Sequence, residues 1–389
     1  MKVIYYSYPF FADCDFPLVK ALQDKGVDMC YYMPLARNFK SSSIIELKKP
    51  LRKLGIIKAS QIKDFEVYKE CIDLERLFII SGFRGNYFWI PSWILWIYTL
   101  YHMKKQKADV IHVDWQFGSI FEKLIFKFTL GKKKVVTVHD PIMHSGQPNA
   151  IVEEKKRRRT FKWGNHFMLL NKVQTKFFQE TYHISSDKIS FSVLPNYDSI
   201  SKITPISPNI QGDFILFFGS IKPYKGVEYL LDAMMKIHKT CPNLKLVIAG
   251  NGDLYFDVSK YHDLDYIIWM YRYISISELA GLLKACKFVV CPYKDATQSG
   301  VVQTSFSMKV PVVASNVGSL SADIENGVNG LLVPRCDVSA LSEAIKSLYL
   351  NEIKLKEFKN NIISQQAFNN RNERIAIDYI RMYNQIVGE

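Results

Sequence analysis

The chain has 389 residues, of which 48% are hydrophobic and 23% charged, so its composition excludes a disordered chain and predicts two or three domains. Its net charge is +14, and most of the excess lies in the first half. Residues 1–200 hold 31 basic and 19 acidic residues, whereas residues 201–389 hold 20 basic and 18 acidic residues. The seven cysteines form no C-x-x-C pair, which argues against a zinc site or a disulfide framework and favours a reducing compartment.

Strand-like and helical segments alternate through the first half of the chain, which is the pattern of βαβ units and parallel sheets. The first strand begins at residue 2 without a recognisable leader, so we expect no signal peptide and a cytoplasmic protein. Residues 41–86 show no motif. The predicted strands are 2–7, 27–33, 108–113, 134–139, 166–170 and 189–194, and the predicted helices lie near 16–25, 117–130 and 173–181.

An aromatic segment, residues 87–101, carries no charge and is followed by lysines at 104, 105 and 107. At 15 residues it is short for a transmembrane helix, which needs about 20. It fits either a buried helix of the α/β layer or an element at the membrane interface, where Trp and Tyr favour the headgroup region. The basic run 155–159 adds to the interfacial interpretation, although a charge run also fits a solvated helix face.

The composition changes after residue 194, where a stretch rich in Pro and Ser reads as a linker. A second α/β series follows, so we predict a domain over 1–198, a linker over 199–212 and a second domain over 213–370. Ligands in such sheets bind beyond the carboxyl ends of the strands, and a cleft between the domains is the expected site. The second series has predicted strands at 214–218, 244–249, 266–269, 288–291, 312–314 and 330–333, and helices at 226–238, 277–286 and 338–350.

A candidate anion site follows the strand 214–218. Gly219 ends the strand, Lys222 follows, and the pair Lys225-Gly226 opens a long helix. Unpaired N–H groups at a helix start and a lysine charge together suit a diphosphate. The two glycines also fit a simple tight turn.

A second loop of the same kind follows the strand 288–291. Gln298-Ser299-Gly300 opens a predicted helix there, and small residues let backbone amides approach a phosphate. Gly250 and Gly252 lack the third glycine of a nicotinamide fingerprint. The triplet Asp13-Cys14-Asp15 imitates an acidic metal site, but it is interpreted as a helix start.

Further motifs lie at 311–318, at 326–333, and at 137–141 followed by 144–146. Together with 219–221 and 225–226, they resemble glycosyltransferase family 4, whose members have the α/β GT-B fold of two Rossmann-like domains facing across a cleft. The segment 296–301 is similar to a subgroup with Ala-Thr-Gln-Ser-Gly-Val in place of paired glutamates.

The resemblance implies a retaining transfer of a sugar from a UDP- or GDP-sugar, without a bound metal or other cofactor. It assigns catalytic roles to His139, Asp140 and Lys225. Lys225 would neutralise the donor diphosphate, and His139 would lie beside the donor sugar. Such a fold usually has its C-terminal helix, here about residues 371–389, packed back on the first domain. The donor-binding residues implied are Gly219, Ser220, Lys222, Lys225, Gly250, Gly252, Thr297, Gln298, Ser299, Gly300, Val301 and Thr304.

The chain departs from the family at two points. Ser220 replaces an arginine, a charge that Lys222 is placed to supply. The paired glutamates are missing, the second near Thr304, so Thr, Gln, Ser and backbone groups would bind the ribose and sugar hydroxyls.

The resulting hypothesis is a cytoplasmic enzyme, peripheral on the inner membrane face, in cell-surface polysaccharide synthesis. Its expected partners are a nucleotide-sugar, a saccharide or lipid-linked acceptor and an anionic membrane surface. An epimerase, a phosphorylase and a non-catalytic sugar-nucleotide or partner-binding module remain alternatives. No nucleic acid is expected, since only the charge suggests one.

Overall fold

The computed structural model describes residues 1–51, 53–82, 90–114, 122, 133–139, 141, 150–172, 174–296, 299–318 and 320–388. These residues divide into two units. The N-terminal unit holds the described residues up to 195 together with 371–388, and the C-terminal unit holds 196–370. The predicted helix at 117–130 lies outside the described residues except for Glu122.

The N-terminal unit is built on an eight-stranded sheet in the order β10-β9-β8-β7-β1-β2-β6-β5, parallel except for β5 against β6. Its centre is buried on both faces, and Ile4 pairs with Cys30 on one side and Ile111 on the other. A hairpin, β3-β4, stands apart. The strands are β1 (Lys2–Tyr6), β2 (Asp28–Ala36), β3 (Ser41–Ser42), β4 (Ile45–Glu46), β5 (Gly55–Lys58), β6 (Leu77–Gly82), β7 (Val110–Val113), β8 (Lys133–Val138), β9 (His166–Leu169) and β10 (Ile189–Phe191).

The first-half strands predicted from the alternating pattern all form, but residues 41–86, which showed no motif, contribute β3 to β6. The strand β6 is buried on both faces, so its apolar residues show no alternation that could reveal a strand. The described helices of this unit are α1 (Ala12–Asp24), α2 (Ile90–Lys105), α3 (Ala150–Trp163) and α4 (Thr175–Tyr182), with 3-10 turns at Pro9–Phe11, Ala59–Gln61, Lys63–Tyr68 and Ser186–Lys188.

The C-terminal unit contains a parallel six-stranded sheet in the order β13-β12-β11-β14-β15-β16, and each strand lies where the sequence predicts one. Its strands are β11 (Phe214–Phe218), β12 (Lys245–Gly250), β13 (Ile267–Tyr271), β14 (Val289–Cys291), β15 (Val312–Ser315) and β16 (Gly330–Val333). Its helices are α5 (Val227–His238), α6 (Ser259–His262), α7 (Ile276–Ala285), α8 (Gly300–Ser307), α9 (Leu320–Asp323), α10 (Val338–Tyr349) and α11 (Glu352–Asn369), with 3-10 turns at Asp198–Lys202 and Pro223–Lys225.

The predicted linker, residues 199–212, falls within the C-terminal unit. Ile200 and Ile203 are buried, and the Ile206 amide donates to the carbonyl of Ser277 at 2.9 Å. Gly281 of α7 leaves no room for a side chain beside the Ile206 carbonyl. The backbone of Ile206 therefore ties this stretch to α7, and the buried side chains of Ile200 and Ile203 make it part of the unit.

The last helix, α12 (Arg371–Val387), packs on α1 and β10 of the N-terminal unit. Tyr379 and Tyr383 are fully buried there, and the Tyr383 hydroxyl lies 2.5 Å from Nδ1 of His112. Within the described residues, no helix combines the length and the apolar character that crossing a bilayer requires.

Candidate functional site

Glycines at the carboxyl ends of β11 and β12 bring two loops together, backbone against backbone. The Gly219 amide donates to the carbonyl of Ala249 at 3.0 Å, and the Ile221 amide donates to that of Asn251 at 2.8 Å. A Cβ added to Gly250 would overlap the Gly219 carbonyl oxygen, and one added to Gly252 would overlap that of Ile221. Both glycines have positive φ, so side chains are excluded on two grounds.

Replacing Gly250 by alanine is expected to destabilise the C-terminal unit by about 2 kcal/mol or more, because the clash adds to the backbone strain. Urea unfolding measures this loss. Gly212→Ala is the matched control, since Gly212 also has positive φ but open space around its Cα. Equal losses of unfolding free energy in the two variants would show that the loops after β11 and β12 can separate without destabilising the unit.

Lys225 lies in the turn after β11 and is buried. Its Nζ donates to the Tyr293 hydroxyl at 2.7 Å and lies 3.9 Å from the centroid of that ring. Gly226, with φ of 62°, brings this turn against the loop after β14, where a Cβ would overlap the Pro292 carbonyl. Tyr293 follows β14, so two adjacent strands position the lysine.

The ammonium of Lys225 has no charge partner among the described residues. Burial, and to a smaller extent the charge of nearby Lys222, lowers its pKa to about 8. Lys294, in the loop after β14, is in contrast paired with Glu228, with Nζ 2.9 Å from Oε1. A buried cation without a counter-ion is costly, so this position favours an incoming anion.

The start of α5 offers less to an anion than the sequence suggests. The Val227 amide donates to the Tyr255 hydroxyl at 3.2 Å, and that hydroxyl donates to Glu228. One predicted anion-facing amide is thus already bonded, and a carboxylate stands in the first turn. The positive charge here comes from Lys225.

The start of α8 adjoins the loop after β11. A Cβ on Gly219 would be 3.8 Å from the Val301 side chain, and Gly300 lies against the ring of Tyr197. Ser299 caps the helix by accepting from the Val302 amide at 3.4 Å. Ser299 and Thr304 are buried, whereas Ser220 and Lys222 are exposed. Thr297 and Gln298 lie outside the described residues.

In the N-terminal unit, His139 follows β8 and is held by two neighbours. Its Nε2 lies 2.8 Å from Oδ2 of Asp114, and its ring stacks on Phe11 with centroids 4.2 Å apart. Asp114 follows β7, the adjacent strand, so both residues stand at one edge of the sheet. Asp140 lies outside the described residues.

Asp114 and Asp15 form a buried carboxyl pair behind His139. Burial alone would raise the pKa of Asp114, but the charge and hydrogen bond of His139 hold it below its ordinary value. Burial, and then the charge of Asp114, raises the pKa of Asp15 well above its usual range. Asp15 accepts hydrogen bonds from Tyr5 and Tyr31, both at 2.8 Å. The raised pKa of Asp15 and the lowered pKa of Asp114 therefore favour the proton on Asp15 and the negative charge on Asp114 beside His139.

Cys14, Asp114 and His139 offer ligand atoms within 4.8 Å of one another, the donor set of a transition-metal site. Two ligands about 2.0–2.1 Å from a tetrahedral zinc are about 3.3 Å apart. The 2.8 Å separation of His139 and Asp114 is shorter than that and is the length of a hydrogen bond. These residues fit a hydrogen-bonded pair better than a metal centre.

Sequence reasoning missed Asp114, Tyr293 and Phe11. Asp114 directly follows the predicted strand 108–113, so the rule that selected His139 at a strand end could also have selected it. The Tyr293 contact with Lys225 joins residues 68 apart, and a sequence gives no signal for such a pair.

Residues 212–351 match the family described as Glycosyl transferases group 1. The C-terminal unit carries a glycosyl transferases group 1 domain. An uncharacterized glycosyltransferase from Methanocaldococcus jannaschii is 33% identical over 147 residues, which are 36% of this chain and 40% of that protein. A GDP-mannose:glycolipid 4-beta-D-mannosyltransferase from Xanthomonas campestris is 36% identical over 105 residues, 26% of this chain and 29% of that protein. The chain thus matches less than half the length of these relatives.

Solved structures resemble the chain over nearly its full length. Sucrose-phosphate synthase from Thermosynechococcus elongatus has a TM-score of 0.69 at 15% identity, and the match covers both chains completely. Anabaena HepE in complex with UDP-glucose has a TM-score of 0.65 at 13% identity, covering 100% of this chain and 98% of that one. The predicted fold class is confirmed: the chain has the GT-B fold of two Rossmann-like domains. The glycosyl transferases group 1 domain is the second of them.

Proposed function

We propose that this protein is a retaining, metal-independent glycosyltransferase that moves a sugar from a UDP- or GDP-sugar to a saccharide or lipid-linked saccharide acceptor in cell-surface polysaccharide synthesis. The observation that carries the proposal is the buried charge of Lys225 at the carboxyl ends of β11 and β14, which has no counter-ion among the described residues. That charge suits a donor diphosphate, whose negative charge grows as the sugar leaves. A lysine in this role needs no metal ion to neutralise the leaving group.

The loops around Lys225 would form the rest of the donor site. Gly219 leaves its backbone bare, so the donor can approach it closely there. Gly250 and Gly252 hold the loop after β12 against the loop after β11 and so shape the donor site. The exposed Lys222 is available for the second phosphate, in place of the arginine replaced by Ser220. The hydroxyl groups of the donor would be bound by Thr297, Gln298, Ser299 and Thr304, together with the backbone of Gly300 and Val301.

His139 is proposed to contact the donor sugar and position the acceptor, and Asp140, the next residue in the sequence, is proposed to share its catalytic role. The geometry in support is its fixed ring, held between Asp114 and Phe11. A rigid side chain orients a substrate more effectively than a mobile one.

A lipid-linked acceptor agrees with the glycolipid named for the Xanthomonas campestris relative. Since such acceptors lie in a membrane, we place the enzyme in the cytoplasm, peripheral on the inner membrane face.

The proposal is tested with purified protein against UDP, GDP, ADP and CMP, with and without magnesium. A ligand that binds the folded state raises the unfolding midpoint, by about 2.7 kcal/mol of stability at a hundredfold excess over Kd. We expect one of the nucleoside diphosphates to raise the unfolding midpoint by the same amount in magnesium and in EDTA. The sugar-nucleotide of that base is then offered to a membrane lipid extract, and labelled sugar in the lipid phase reports transfer.

Binding without transfer to any lipid or saccharide would support the non-catalytic module, which the missing arginine and glutamates favour. Conversion of the nucleotide-sugar without an acceptor would indicate an epimerase, and dependence on free phosphate a phosphorylase.

Diphosphate affinity is expected to decrease above pH 8. The pKa of Lys225, about 8 when free, rises on binding an anion, so binding takes up about half a proton at pH 8. Above that pH the affinity falls by up to about tenfold per pH unit. Calorimetry in two buffers of different ionisation enthalpy measures the proton uptake. Uptake near zero at pH 8 would place the anion away from Lys225.

A further inference from the structure

The helix α2 exposes a row of apolar side chains on its outward face. Ile90, Ile94, Ile97 and Tyr101 are 72%, 62%, 65% and 63% exposed, and Tyr98 is 49% exposed. Their spacing of three and four residues places them on one helix face. The inward face includes the polar Ser92 and Thr99, which are buried beside Leu95 and Met103. A surface helix of a soluble domain carries polar residues on its outward face, whereas α2 carries apolar ones there.

Basic residues continue the outward face of α2. Lys104 and Lys105 follow Tyr101 at the helical spacing and are exposed, and α2 contains no acidic residue. Tyr98, Tyr101 and the partly exposed Trp93 are the side chain types that favour the headgroup region of a bilayer.

The helix α3 covers the same face of the eight-stranded sheet. Trp163 of α3 packs against the core cluster that contains Leu95 and Met103 of α2. The outward face of α3 carries Ile151 and Val152, both exposed, and then three basic residues at helical spacing, Lys155, Arg159 and Lys162.

These three basic residues form no ion pair with any residue in the described part of the chain. Lys156 and Arg158, in contrast, pair with Glu153 and Glu154. The apolar stripe and the unpaired positive charges therefore lie on one side of the unit.

We propose that the outward faces of α2 and α3 form a docking surface for a bilayer with anionic headgroups. The helix α2 has 16 residues, about 24 Å of rise, and lies along the surface with its stripe at the headgroup boundary. Charge complementarity selects this occupant, because the N-terminal half of the chain holds the surplus of basic residues. The inference rests on the proposed function for the lipid-linked acceptor that the docked enzyme would meet.

The test is flotation of the full chain with vesicles of phosphatidylcholine alone or mixed equally with phosphatidylglycerol. We expect binding to the anionic vesicles that weakens as salt is raised. The double variant Ile94→Glu/Ile97→Glu should bind them at least about tenfold more weakly. The matched control is Ile353→Glu, which changes an isoleucine of α11 that is 73% exposed and should leave binding unchanged.

The basic residues are tested separately. Arg159→Gln/Lys162→Gln should reduce both the binding to anionic vesicles and its salt dependence. Unfolding midpoints equal to that of the parent protein show that these exposed substitutions leave the fold intact.

Three results would overturn the proposal. The first is no binding to anionic vesicles, and the second is a loss of binding in Ile353→Glu equal to that in Ile94→Glu/Ile97→Glu. The third is a dimer, seen by light scattering without vesicles, that Ile94→Glu/Ile97→Glu abolishes. The last would identify a second copy of the chain as the occupant. Vesicle binding requires no nucleotide, and the diphosphate test requires no lipid. A failure of the docking proposal can therefore be distinguished from a failure of the proposed function.

Discussion

Lys225→Met is expected to weaken diphosphate binding by about a hundredfold while leaving the unliganded protein as stable as before, or more stable. A charge-assisted contact to an anion contributes about 1.5–3 kcal/mol, which accounts for the loss. Methionine retains most of the aliphatic volume beside Tyr293 and removes a buried cation that has no carboxylate partner among the described residues. Replacing buried charges by apolar groups of similar volume is often neutral or stabilising.

The stability of the two proteins should also differ in its dependence on pH. The pKa of Lys225 is lowered in the folded state, so between about pH 8 and its unfolded value near 10.4 the unfolded chain binds more protons. Stability therefore rises with pH in that window, and Lys225→Met should lack this part of the rise. Denaturant titrations at pH 7.5 and 9.5 (about two units apart) measure it.

Lys236→Met is the matched control, since Lys236 is an exposed lysine of α5 that donates to Ser339. It should change neither the diphosphate binding nor the pH dependence. Normal diphosphate binding by Lys225→Met would contradict the assignment of this lysine to the donor. A large loss of stability in that variant would instead show that the charge supports the fold.

Most of the fold could be predicted because parallel strands are apolar runs separated by helical periods. The six strands of the C-terminal unit follow that pattern throughout. The strand β6 could not be assigned, since both its faces are buried and it follows a stretch of short turns. The local sequence does not show which distant residues pack on the two faces of a strand.

The orientation of α2 shows a different limit. Its sequence is apolar almost all round, so periodicity predicts a helix but not its outward face. In the folded unit Ser92 and Thr99 are buried and the isoleucines are exposed. Contacts with the rest of the unit, which the local sequence does not show, determine this orientation. For the candidate site, the rule of strand ends predicts Lys225 and His139 and could also have selected Asp114. The pairing of His139 with Asp114 and the contact of Lys225 with Tyr293 each join two strands, and both needed the structure.

Asp114→Asn is expected to reduce sugar transfer by about tenfold to a hundredfold with diphosphate binding unchanged. The carboxylate of Asp114 holds Nε2 of His139 at 2.8 Å, and a hydrogen bond to a charged group contributes about 1.5–3 kcal/mol. Asparagine has the same shape but no charge, so His139 loses its electrostatic support while Phe11 still stacks on its ring. Asp114 is thus a positioning residue that acts through His139.

The readouts are kcat and KM for the nucleotide-sugar across pH 5 to 9 (about the range in which histidine titrates). We expect the loss in kcat and a change in the shape of the pH profile, since the charge that stabilises the protonated ring is gone. A merely structural role would lower stability and leave the profile of the remaining activity unchanged.

Asp109→Asn is the control because it removes a carboxylate at the opposite end of the same strand, β7. Asp109 is exposed and accepts from the Lys2 amide at 2.8 Å, far along the strand from His139. Its replacement should leave kcat and the pH profile as they are. Transfer by Asp114→Asn within twofold (about 0.4 kcal/mol) of the parent protein would separate His139 from the reaction, and the proposed chemistry would then rest on the C-terminal unit alone.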